Sequence, residues 1–206
     1  GAANPVAMLT AEAASASPGA HGMLSTIGAS VFNASAMEPP VDVLTFSSVM
    51  ARSDDEGRAD LARAVLEGMA YAVRANIEQV TKVSGGTLTD LWIGGGLTRS
   101  TSWTQIVSDV MGCRVHVCAS SETSALGAAL CAGVGAGLFP DLAAAAEDLA
   151  RTCRQHTPDA EASPLYQGLY ADWLSLRQER RAADMVAANL FRMSLMSGLS
   201  ASEGAA

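Results

Sequence analysis

The residues of this sequence best suited to chemistry are Gly94, Gly95 and Gly96, which follow the apolar run Leu91-Trp92-Ile93. An amphipathic stretch from Trp103 to Met111 comes shortly after. The pattern predicts a strand that ends in a glycine turn and leads into a helix. Glycine lacks Cβ, so it accepts left-handed φ and lets another group approach the backbone closely. Free N–H groups and the helix dipole at such a turn favour phosphate or another anion. The glycines therefore suggest a nucleotide site. Taken alone, they are equally compatible with a plain tight turn.

A more specific reading, the dinucleotide fingerprint G-x-G-x-x-G, fits poorly. Gly94 and Gly96 supply its first two glycines, but Arg99 stands at the third position, where glycine allows close helix–strand packing. The acidic residue that would hold a ribose about 20 positions on is also missing. That region reads Arg114-Val115-His116-Val117-Cys118, with no acid before Glu122.

The elements that must position the glycines alternate. A helical pattern runs from about Arg58 to Lys82, with Leu61, Val65, Met69, Ala72 or Val73, Asn76 and Val80 on one face. The glycine turn and second helix follow, then a β-rich run from Arg114 to Cys118. Ser121 and Ser124 are N-cap types, and the small-residue helix Ala125 to Gly133 comes next. Helix, strand, helix, strand, helix argues for an α/β layer fold.

Four segments in this order carry a resemblance. They are Arg63-Ala64-Val65-Leu66-Glu67-Gly68; Ile93-Gly94-Gly95-Gly96; Trp103-x-Gln105-Ile106-x-x-Asp109-Val110-x-Gly112; and Glu122-x-x-Ser124-Ala125-Leu126-Gly127-Ala128-Ala129. Together they resemble the C-terminal domain of FGGY carbohydrate kinases over about residues 58 to 140. Ser17-Pro18-Gly19-Ala20-His21-Gly22-Met23 and Tyr166-x-x-x-Tyr170-x-x-Trp173 also look familial. Within the family, the Pro-Gly-x-His-Gly segment is most similar to the autoinducer-2 kinase subgroup.

The resemblance implies an α/β, ribonuclease-H-like domain of the actin-type ATPase fold, the C-terminal half of a two-domain sugar kinase. ATP and Mg²⁺ are the implied cofactors, and the acceptor is a sugar or polyol hydroxyl. The family's D-x-G-T phosphate loop and its catalytic aspartate lie upstream of the matched region, so no catalytic residue is assigned here and the chain alone is expected to be inactive. Cofactor-binding positions carried over are Gly94, Gly95, Gly96 and Ser100. Gly95 and Gly96 would lie against the adenosine, and Ser100 or a neighbour would reach the base. The loop Leu97 to Ser102 is one residue longer than the family's commonest spacing, which puts that register in question. The alternative is a non-catalytic remnant or interaction module of the same fold. A start at Gly1 fits a fragment or a processed product.

Several side chains have a structural reading beside the functional one. Gln105 and Asp109 sit at i, i+4 and suit either bonding to nearby loops or ligand contact. Glu122 is expected to cap or brace the next helix, and Glu67 to meet Arg63, its i−4 neighbour. His116 should lie on a face of the sheet. His21 suits a loop-stabilising role, with a substrate-side role as the alternative.

Composition bounds the rest. The chain has 206 residues and a net charge of −8, which argues against a nucleic-acid partner. It has no apolar run of about 18 residues and no signal-peptide pattern, so no membrane span or export is expected. Cys113, Cys118, Cys131 and Cys153 fit no zinc spacing and read as buried small hydrophobes in a reducing cytoplasm. Residues 1–57 are expected to pack against the substrate domain and to be partly irregular. Residues 58–183 form the nucleotide-binding domain, with a last helix near Pro164 to Arg181 whose Leu165, Leu169, Trp173 and Leu176 face the core. Residues 184–206 read as a tail without a partner, for which disorder is the expectation. A homodimer is left open.

Overall fold

The computed structural model describes residues 5–27, 31, 44–45, 54–147 and 152–203. Helix α1 (Pro5–Ala13) leads into a turn and a two-stranded antiparallel ribbon, β1 (Leu24–Ser25) with β2 (Leu44–Thr45). The alternation expected from the sequence follows as α2 (Asp54–Ser84), β3 (Asp90–Ile93), α3 (Thr101–Met111), β4 (Arg114–Cys118) and α4 (Thr123–Gly135). Then come α5 (Leu142–Glu147), β5 (Thr152–His156) and α6 (Ala162–Glu203). Strands β3 and β4 pair in parallel with Trp92 opposite His116, and β5 adds antiparallel to β4. A parallel pair needs a crossover, and α3 supplies it.

One face of the sheet is apolar. Val115 and Val117 are buried on β4, and Val107 and Val110 of α3 share the core of Val115. Alternation puts Trp92 and His116 on the opposite face. There the two rings stack 4.4 Å apart, and His116 Nε2 lies 2.9 Å from Asp90 Oδ1. His116 is thus a sheet-face residue, as its alternation predicts.

Helix α2 keeps the middle of the expected face, with Ala72 buried and Met69 and Val73 packed against the core, and departs from it at both ends. Leu61 is 37% and Val80 62% exposed, while Asp60, Arg63 and Glu67 are buried beside Leu66, Ala70 and Tyr71. Apolar periodicity misses part of the buried stripe because that part carries charge that finds partners. Glu67 Oε1 accepts from Arg63 Nε at 2.9 Å, Tyr166 Oη at 2.7 Å and the Gly19 N–H at 3.0 Å. Arg63 also donates to Tyr166 Oη at 2.6 Å and to the Ala13 carbonyl at 3.3 Å. One buried ion pair thereby ties the N-terminal segment, α2 and α6 together. The expected Glu67–Arg63 contact is present. Burial pushes the Glu67 carboxyl up from its ordinary range, against the opposing pull of its donors.

Helix α6 differs in two ways. Its buried stripe is Tyr166, Tyr170 and Trp173, with Leu165 58% exposed, so the expected Leu165 position is off by one residue. The aromatic rings bury because each polar tip is satisfied. Tyr170 Oη donates to Glu78 at 2.7 Å and Trp173 Nε1 to the Ser25 carbonyl at 3.1 Å. The helix also runs on to Glu203, through most of the stretch where the sequence suggests a disordered tail. Most of residues 28–53, including the Glu38-Pro39-Pro40 break, lie outside the described residues.

His21 holds its loop in place. The backbone from Gly19 to Gly22 is left-handed at every residue, with φ of 83°, 44°, 49° and 86°. His21 Nδ1 lies 2.8 Å from Oδ1 of buried Asp60. This is the loop-stabilising role expected for His21.

Candidate functional site

The glycine loop begins where β3 ends, and its three glycines do different work. A Cβ on Gly94 would come within 2.4 Å of Thr123 Cγ2, so this glycine lets the loop pack against the first residue of α4. Gly95 has φ 107° and ψ 175°, a conformation reserved for glycine. A Cβ at Gly95 or Gly96 would meet nothing within 4 Å. Two glycines in a row thus leave one side of the loop open.

The loop is anchored from behind. Residues Gly96–Arg99 form a 3₁₀ turn in which buried Thr98 donates from Oγ1 to the Gly95 carbonyl at 2.7 Å. Arg154 of β5 donates to the Thr98 carbonyl. Ser100 Oγ accepts from the Trp103 N–H at 3.2 Å and so caps α3. The chain therefore brings Gly94, Gly95, Gly96 and Ser100 together at one edge, with the Ser100 hydroxyl engaged in the cap.

Across the loop stands the start of α4. Glu122 is its N-cap residue, and no side chain caps it; Ser121 and Ser124, both N-cap types, do not fill that role. Arg99 closes the arrangement. Its Nη2 lies 2.6 Å from Glu122 Oε1 and 3.0 Å from Ser121 Oγ, and its Nε lies 3.2 Å from Ser121 Oγ. Glu122 thus braces α4 against the loop, as expected of it. This bridge is not legible in the sequence, because its partners are 22 and 23 residues apart and belong to no local motif.

Gln105 and Asp109 bond to a nearby loop, one of the two roles open to them. Gln105 Nε2 donates to Asp109 Oδ1 at 2.8 Å and to the Thr157 carbonyl at 2.9 Å. Asp109 Oδ1 also accepts from the Asp159 N–H at 2.8 Å. His156 joins them, with Nδ1 2.8 Å from Gln105 Oε1 and Nε2 2.9 Å from Thr104 Oγ1. Burial pushes the His156 imidazole below its ordinary range. The neutral ring has one donor and one acceptor nitrogen for these two contacts. A shallow pocket lined by Gln105, Asp109, Thr157 and Asp159 lies over the network.

Gly95 and Gly96 present backbone alone to open space, which leaves room for a group such as an adenosine to approach the backbone. Mg²⁺ does not fit this chain's residues in the same way. Among the described residues no group of three His, Cys, Asp or Glu side chains could hold a metal ion.

Known proteins place the chain. The profile of the FGGY family of carbohydrate kinases, C-terminal domain, matches residues 3–136. An autoinducer-2 kinase of Salmonella choleraesuis (strain SC-B67) is 38% identical over 125 residues, 61% of this chain and 24% of that protein. One from Escherichia coli (strain ATCC 8739) is 36% identical over 136 residues, 66% of this chain and 26% of that protein. The chain thus spans about a quarter of the length of these curated relatives. A xylulose kinase crystal structure from Rhodospirillum rubrum superposes with a TM-score of 0.66 at 28% identity, over 87% of this chain and 35% of that one. These kinases have the actin-like ATPase fold, in agreement with the α/β, ribonuclease-H-like expectation. The chain belongs to the FGGY family of carbohydrate kinases and carries its C-terminal domain.

Proposed function

We propose that this chain is the ATP-binding half of an ATP-dependent carbohydrate kinase, which transfers the γ-phosphate to a sugar or polyol hydroxyl. The observation that carries the reading is the open, side-chain-free face of Gly95 and Gly96 beside the start of α4. The relatives are sugar kinases by name, among them autoinducer-2 and xylulose kinases. Phosphoryl transfer rests on positioning and electrostatics more than on covalent help. In this division of labour, the loop holds the adenosine through backbone contacts, and Thr98 and Arg154 keep the loop rigid behind it. The catalytic base belongs to the part of such a kinase that precedes this domain. The sugar is recognised there too.

A cytoplasmic location accords with the free thiols of Cys113, Cys118 and Cys131. Among the described residues, no helix is long and apolar enough to cross a membrane.

Gly96→Val tests the reading cleanly. Gly96 has no left-handed φ and an open Cβ direction, so valine fits the unliganded loop. Its branches would occupy the space where adenosine must approach. ADP affinity is expected to fall at least about tenfold, a steric penalty of the size found when a filled site is overpacked. Calorimetry on folded Gly96→Val and the parent chain is the check. Equal affinity would mean that the loop is a structural turn.

A further inference from the structure

Helix α6 outruns the body that it packs on. Its buried aromatic residues, Tyr166, Tyr170 and Trp173, all lie near its start. Among the described residues, the last bond from α6 to another element is that of Arg177 to the Val31 carbonyl, at 3.5 Å. From Gln178 to Glu203 the helix continues for about 39 Å, at about 1.5 Å per residue. Along this stretch Val186, Leu190 and Met193 are 60%, 62% and 68% exposed. They stand at i, i+4 and i+7, which is one face of a helix. The sequence extends that face in sevens. Leu176, Ala183 and Leu190 take the a positions of a heptad, and Val186 and Met193 take d positions, with Glu179 at the d position nearest the body. Ser197 and Ser200 end the seam.

We infer that the distal half of α6 is a self-association surface, on which the same stretch of a second copy of this chain packs as a two-stranded coiled coil. Three observations carry it. The first is the helix itself. Helices in proteins draw most of their stability from packing an apolar face, and Asn189, Ser194, Ser197, Gly198 and Ser200 make this stretch a poor helix former alone. The second is the seven-residue spacing, which matches the knobs and holes of another helix. The third is charge. Arg180, Arg181 and Arg192 balance Glu179, Asp184 and Glu203, so the net charge of −8 lies outside this stretch. Two copies therefore meet here without net repulsion between the paired stretches. A strongly charged partner finds no excess charge to dock on. A helix lying on a membrane surface is rich in Lys and Arg along its polar face, and this stretch has no Lys and no excess of Arg. The family profile ends at residue 136, well before the seam.

Sedimentation equilibrium of the 206-residue chain, from about 1 to 200 µM, tests this, with far-ultraviolet circular dichroism over the same range. The parent chain is expected to pass from monomer to dimer and to gain helix as it does, because pairing stabilises a stretch that is marginal alone. Leu190→Asp places a charge in the seam and is expected to weaken the dimer at least about tenfold. Leu165→Asp places the same charge on a leucine of α6 that is 58% exposed but lies in the half that packs on the body. It is expected to change the dimer less than about twofold. Both leucines are exposed, and near-ultraviolet circular dichroism of buried Trp103 and Trp173 checks that the body stays folded.

A parent chain that stays monomeric to about 200 µM would overturn the inference. If that monomer bound phosphatidylcholine vesicles, the stretch would belong to a membrane surface instead. A dimer that Leu190→Asp leaves intact, or that Leu165→Asp weakens as much, would place the contact elsewhere on the chain and overturn it too.

Discussion

Glu67→Ala is expected to destabilise the chain by about 3–5 kcal/mol, the range for removing one partner of a buried ion pair. Glu67 is 1% exposed, and its Oε1 is the common acceptor for Arg63, Tyr166 and the Gly19 N–H. Alanine would leave a buried guanidinium without its counter-charge and two further donors without an acceptor. Each buried unsatisfied donor adds its own desolvation penalty. Tyr166→Phe removes one hydroxyl and leaves the ion pair, so its effect should be smaller, about 1–2 kcal/mol. Urea unfolding followed by circular dichroism gives both numbers. Near-equal effects of the two substitutions would show that Glu67 matters through the tyrosine alone.

Gly68→Ala is expected to be the most disruptive glycine-to-alanine change among the described residues, at about 3 kcal/mol or more. Gly68 lies on α2 where β1 crosses it. An added Cβ would stand 2.1 Å from the Ser25 carbonyl oxygen and 2.9 Å from the Ser25 carbonyl carbon. Both atoms are backbone, so relief requires moving β1 or α2. Overpacking a filled core ordinarily costs about 1–3 kcal/mol, and a backbone clash lies at the upper end. Ser25 is further held by Trp173 Nε1, which donates to the same carbonyl at 3.1 Å. The displacement would therefore reach the aromatic cluster of α6. A helix-propensity argument gives the opposite sign, since alanine favours helix over glycine by about 1 kcal/mol. Thermal unfolding of Gly68→Ala decides, and a raised Tm would mean that α2 and β1 are not in this contact.

How much of this was legible in the sequence depends on the range of each interaction. Glycines 94 to 96 announce themselves because a turn type demands a residue type, and Glu67 points to Arg63 because helical neighbours recur at i, i+4. The alternation from α2 to α4 follows from apolar patterning. That same patterning finds only part of the buried faces of α2 and α6, Ala72 and Trp173 among them. It takes the core to be apolar, whereas Asp60, Arg63, Glu67 and Tyr166 are buried through partners up to 103 residues away. Strand β5 is not legible in the sequence, since Thr-Cys-Arg-Gln-His shows no apolar alternation and is fixed by pairing with β4. The Arg99–Glu122 bridge is hidden for the same reason. The role of Gly68 is visible only once the path of β1 is known.

The central claim is that nucleotide binds at the glycine loop, and amide shifts of the labelled chain during an ADP titration test it most directly. The account predicts shifts at Gly94 to Ser100 and at Thr123 to Ala125. It also predicts a Kd of about 0.1 mM or poorer, about −5.5 kcal/mol, because backbone contacts to the adenosine leave the phosphates without charge-assisted partners. Shifts confined to Gln105, Asp109, Thr157 and Asp159, or an unchanged spectrum at millimolar ADP, would contradict it.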